Sequence, residues 1–161
     1  MYTLLVQMAD EQWTMSALHL ACALARNVGG KVVLLRLMQV QHPSYLGTAF
    51  GDRSPSETEY HDLKEYAATA EDYGLQLTVQ PMQCATTLDA VADAAEQLDA
   101  FAVFAHVPES RIPYWRQFQI WNIERRLNAQ NRQLFTLDQP IDYVKWMPSI
   151  IIKTPTPSNA H

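Results

Sequence analysis

Strand-like and helix-like apolar patterns alternate strictly along this chain, and that alternation constrains its fold more than any other feature. Tyr2–Met8 is a short, nearly continuous apolar run, as expected of a strand covered on both faces. In Thr14–Asn27, Met15, Leu18, Cys22 and Ala25 recur at intervals of three and four, which places them on one helical face. Thr14 is the predicted N-cap, and Gly29–Gly30 supply a stop that tolerates the left-handed conformation. Lys31–Val40 reads as a second strand. Gln41–Ser56, with Pro43, Gly47, Gly51 and Pro55, reads as a long loop of the kind that is often functional or mobile.

The alternation then continues. Ser56 and Glu59 have capping-box spacing and open a helix that runs to about Tyr73, where Gly74 stops it. Leu75–Met82 alternates as a third strand. Thr86 or Thr87 caps a helix carrying Leu88, Val91, Ala95 and Leu98, and Asp99–His106 is the fourth strand. Pro113 suits the first turn of a helix over Tyr114–Ala129, followed by a fifth strand at Gln133–Asp138. Parallel strands need long crossovers, so five strands separated by four helices predict an α/β domain. Its three layers are a parallel sheet with helices on both faces. The predicted domain occupies residues 1–140. Residues 141–161 form a C-terminal extension that ends in a Pro-, Ser- and Thr-rich stretch expected to be disordered.

Composition limits the function. At 161 residues the chain suits one core, and 48% apolar against 18% charged residues places it among globular proteins. A net charge of −5, with its twelve Lys and Arg scattered, gives no basic stripe for nucleic acid. No run approaches the ~20 apolar residues of a membrane helix. The start, MYTLLVQMADEQ, has no basic region and is not expected to be a signal peptide. Cys22 and Cys84 form no CxxC pair and sit among apolar residues, which predicts buried thiols and a cytoplasmic location.

Several segments together resemble the universal stress protein family. Leu4-Leu5-Val6 stands at the first strand, and Ser16–Leu37 (SALHLACALARNVGGKVVLLRL) matches an alanine-rich helix, glycine turn and strand. Ala90–Phe104 and Ile123-Glu124-Arg125-Arg126-Leu127 fit the second half, so the likeness spans roughly residues 1–138. The resemblance implies an adenine-nucleotide α-hydrolase-like sheet with strand order 3-2-1-4-5, in a domain that dimerises through its last strand. In the ATP-binding branch it implies an Asp after the first strand and G-x2-G-x9-G-(S/T) after the fourth. Such glycines let backbone N–H groups approach phosphates without a Cβ in the way.

This chain departs from that motif throughout. Ala9 falls at the Asp position, with Asp10 one residue on. Ala105 and Pro108 replace the first two glycines, the third falls between Phe118 and Ile120, and no glycine follows Gly74. Pro108 lacks an amide donor, and the bulk of Phe118 and Ile120 is expected to fill the phosphate turn. The ATP site is predicted lost, and no cofactor is expected.

The strand 1/strand 4 switch point, where open α/β sheets bind ligands, still presents Gln7, Met8, Asp10 and His106, with Ser110 and Arg111 nearby. His106 is a candidate base or donor, or a partly buried structural histidine. Asp10 is a candidate ligand residue, a solvated residue or a helix cap, and Ser110–Arg111 an anion contact or a solvated loop. His42, His61 and Asp62 lack metal-site spacing, so no metal is expected. The aromatic group Tyr114, Trp115, Phe118 and Trp121 predicts either a thick core layer or a subunit interface, the latter joined by Phe135, Trp146 and Ile151. The reading is a non-catalytic, dimeric regulatory or stress-response module. Its alternatives are a small-ligand or altered-nucleotide protein using the crevice, or a stand-alone relative of a transporter-associated sensory domain.

Overall fold

The computed structural model describes residues 1–138, apart from the side chain of Phe50. Five strands form one parallel sheet: β1 (Thr3–Gln7), β2 (Lys31–Gln39), β3 (Leu77–Cys84), β4 (Ala100–Phe104) and β5 (Gln133–Phe135). Their order is β3-β2-β1-β4-β5, as the family resemblance implies. The crossovers contain α1 (Glu11–Val28), α2 (Glu57–Asp72), α3 (Thr87–Gln97) and α4 (Trp115–Asn128).

The period-2 geometry of a strand divides the core between two faces. Leu4, Val6, Leu34, Ala102 and Phe104 pack under α1 and α2, together with Leu18, Cys22 and the fully buried Tyr66. Leu5, Val33, Leu35 and Val103 face the other way, against Val91, Ala94 and Ala95 of α3 and Ile123 and Leu127 of α4. Both layers are apolar on their sheet side, which explains the continuous apolar runs of β1 and β2. The edge strand β3 is more exposed, and it accommodates Pro81 opposite Arg36 because an edge residue can forgo a ladder donor.

Several element boundaries differ from the sequence reading, each for a local reason. Asp10, not Thr14, caps α1: its Oδ2 accepts from Trp13 N at 3.0 Å. Thr14 is fully buried and its Oγ1 accepts from Ala9 N at 2.8 Å. β3 begins two residues late because Leu75 N is committed to Ala70 O, closing the end of α2. β4 begins after Asp99, whose φ of 49° is outside strand geometry. β5 ends at Phe135 because Leu137 adopts φ 67° and turns the chain aside. Pro113 precedes α4 and is not in its first turn, since Tyr114 between them has φ 62°. The capping box at Ser56 and Glu59 forms as expected.

The long loop after β2 contains two 3-10 turns, Pro43–Tyr45 and Ala49–Gly51, and is tied to β3. Gln83 receives Gly47 N at 2.7 Å and donates to Thr48 O and Asp52 Oδ1 at 2.8 and 2.6 Å. A Cβ at Gly51 would sit 2.7 Å from the Gln83 side chain, so a larger residue there would have to displace the clamp. From the other side, buried Arg36 donates to Arg53 O at 2.8 Å and pairs with Glu59.

Candidate functional site

The switch point lies between the C-terminal ends of β1 and β4, where side chains from β1, α1 and the loop after β4 meet. Gln7, buried at the end of β1, accepts the backbone N–H of His106 through Oε1 at 2.9 Å. This amide bridge links the C-terminal ends of the neighbouring strands β1 and β4. The His106 ring stands edge-on to Trp13 at 5.2 Å, and its Nε2 lies 3.8 Å from Asp10 Oδ1. Trp13 in turn donates from Nε1 to Thr136 O at 3.4 Å, which closes the crevice from the β5 side. An opening of about 350 Å³ remains outside this plug, lined by Asp10, Gln12, Trp13, Ser16 and Leu137.

A second contact seals the loop after β4. Arg116, in the first turn of α4, donates from Nε to Val107 O at 3.0 Å and from Nη2 to Asp138 Oδ2 at 2.5 Å. Burial alone would raise the Asp138 pKa, but the Arg116 hydrogen bond and charge outweigh it and hold the carboxyl below its usual range. A group whose folded pKa is lowered stabilises the fold above its unfolded pKa, near 3.9 for Asp. That contribution disappears as the pH falls through the still lower folded value. Asp138→Asn should therefore lower stability at neutral pH and leave it nearly unchanged at the acid end, as paired urea melts across the acid range would register. Equal losses at both ends would show that the ion pair contributes nothing.

The predicted candidates thus separate. Gln7, His106 and Asp10 come together, with Asp10 also serving as the α1 cap. Met8 packs against the α1/α2 core, and its N donates to Leu35 O. Ser110 Oγ accepts from Ile112 N at 3.2 Å, and Arg111 is exposed. No hydrogen bond or ion pair among the described residues joins either to the crevice. Phe118 does not fill a phosphate turn: it is on the outer surface of α4, in the groove toward α3. What stands at the motif positions is buried Ala105 and exposed Pro108. The plug residues Trp13, Arg116 and Asp138 escaped the sequence reading. Arg116 did carry a signal, because a cation in the first turn of a helix opposes the macrodipole and needs a compensating anion.

The aromatic group of α4 is a surface feature. Tyr114, Trp115, Phe118 and Trp121 are 44–81% exposed. Trp115 stacks on Phe118 at 5.6 Å, and Arg125 lies over the Trp121 ring at 5.1 Å. A thick core layer is therefore not what they form. Phe135 is half-buried and stacks on Phe104 at 4.9 Å, which points it into the core. Trp146, Ile151 and the proposed C-terminal extension lie outside the described residues. His42 Nδ1 is hydrogen-bonded to Ser44, and no cluster of three metal-ligating residues exists among the described residues.

The five-stranded parallel sheet in this order, with helices on both faces and its crevice at the β1/β4 switch point, is the universal stress protein fold. A universal stress protein solved in complex with cAMP matches at a TM-score of 0.62 and 15% identity, over 86% of this chain and 98% of that one. A universal stress protein from Archaeoglobus fulgidus matches at 0.54 and 14%, over 84% of this chain and 92% of that one. A protein of the same family from Burkholderia pseudomallei matches at 0.54 and 15%, over 85% and 96%. No family model matches the chain, and no curated protein matches it. No helix among the described residues is long and apolar enough to cross a membrane.

Proposed function

We propose that this chain is a non-enzymatic regulatory module of the universal stress protein type, acting as a dimer and not holding ATP in the family's manner. The Gln7–His106 bridge supports this most, because it satisfies the polar groups of the switch point internally. Pro108 adds to it, since no amide donor is available there for a phosphate. Exposed aromatics on α4 suit a partner surface, since large apolar patches on soluble chains mark interaction sites. The site of action is the cytosol, a reading supported by two buried free thiols; burial pushes that of Cys22 up to about 11.

A second reading has one observation in its favour: a fold neighbour was solved with cAMP, which carries a single phosphate and needs less of the glycine loop. A melting-temperature screen with ATP–magnesium, AMP and cAMP separates the two. A ligand at 100 times its Kd adds about 2.7 kcal/mol. The leading reading expects no shift with any of them and twice the chain mass by light scattering. A response to cAMP alone would favour the second reading, and a monomer at high concentration would remove the dimer.

A further inference from the structure

A surface helix normally carries one apolar stripe, and α4 carries two. Its inner stripe, Ile123 and Leu127, is buried with α3 against the sheet. On the outer side Tyr114, Phe118, Trp121 and Arg125 recur at intervals of four, three and four. That is the spacing of a seam between two helices. The rings on this side, with Trp115, are 44–81% exposed. Beside them, between α3 and α4, lies a groove of about 540 Å³ walled by Leu88 and Ala92 on one side and by Trp115 and Phe118 on the other. Trp121 stands outside this groove on the same helix. A projecting ring and a slot able to receive one thus lie side by side.

We propose that α4 docks antiparallel on α4 of a second copy of this chain, across a two-fold axis beside Trp121, so that the Trp121 of each copy enters the α3–α4 groove of the other. This rests on the dimer reading above and names its surface. A two-fold interface must be self-complementary, each patch meeting its own copy, and a knob adjoining a hole meets that condition. An axis at residue 121 also sets Phe118 opposite residues 124–125 of the other copy, within reach of its Arg125. The Arg125 guanidinium already lies 5.1 Å from the Trp121 ring and has no carboxylate partner among the described residues. It is therefore placed to cover aromatic faces from both copies.

The area is of the right order. Four aromatics at these exposures leave about 450 Å² uncovered, at ~200 Å² per side chain. A standard interface buries about 800 Å² per partner, so the rings alone supply more than half. The last strand, which the resemblance implies as the pairing edge, offers less. β5 has only three residues, Gln133–Phe135, and the chain turns aside at Leu137. Alternate residues of a strand face the same neighbour, so one or two are left to bond a second copy.

Light scattering and cross-linking of the full-length chain test this together. Trp121→Glu should weaken self-association roughly 30-fold or more, as removal of a hot-spot residue does, with circular dichroism unchanged because Trp121 is 53% exposed. Asn122→Cys, one residue from the axis and lining the groove, should give a covalent dimer with a short bismaleimide linker. Exposed Gln133→Cys on β5 should give little. Native Cys22 and Cys84 are buried and should not react. A dimer that survives Trp121→Glu, or that links through residue 133 and not 122, would overturn this interface and leave the dimer reading standing. A wild-type monomer at high concentration would overturn both. The linker result decides even where Trp121→Glu does not fold.

Discussion

Phe104→Ala is expected to cost about 3–5 kcal/mol of unfolding free energy, the usual range for truncating a buried aromatic. Phe104 is fully buried on β4 and stacks on Phe135 across to β5. Its removal would leave a void directly beneath the switch point. In a domain of this size each kcal/mol moves Tm by about 2–4 °C, so a drop on the order of 10 °C should follow. Val79→Ala on the edge strand is the natural control, since Val79 is 39% exposed. Urea melts of both variants would measure the difference. A loss at Phe104 no larger than at Val79 would mean that the β4–β5 half is loosely packed and that the crevice above it has no rigid floor.

The second large effect is expected at Gln7. Gln7→Leu keeps most of the volume but removes the acceptor of the His106 N–H. A polar group left without a partner in a part-buried site costs about 1–3 kcal/mol. Hydrogen exchange at the His106 amide should accelerate in the same variant, because that proton is protected only by the side-chain carbonyl. A change in stability without faster exchange would place the effect of Gln7 in packing. Unchanged values of both would remove the bridge from the account.

The fold was legible because it rests on periodicity. Continuous apolar runs such as Val32–Leu35 and helical stripes such as Leu18, Cys22 and Ala25 state directly which faces are buried. Element ends were less legible, since they depend on which neighbour takes a backbone group. Asp10 outcompeted Thr14 as the α1 cap because Thr14 Oγ1 was already committed to Ala9 N. In the candidate site, Gln7 and His106 could be placed from the strand ends. The plug itself could not, because Trp13 reaches the Thr136 carbonyl across 123 residues of sequence and Arg116 finds Asp138 only once β5 is in place. The α4 aromatics were visible as a cluster, yet only three-dimensional packing shows that their rings face outward.

The proposed reading rests on the Gln7–His106 bridge between the ends of β1 and β4. Titrating the isotope-labelled protein with magnesium–ATP and following the backbone amides of residues 105–116 tests that most directly. Those amides should hold their positions throughout, with Gln7 still receiving His106. Saturable one-to-one shifts centred on these residues would contradict it, since they would require phosphates where Pro108 offers no donor and Arg116 is already paired.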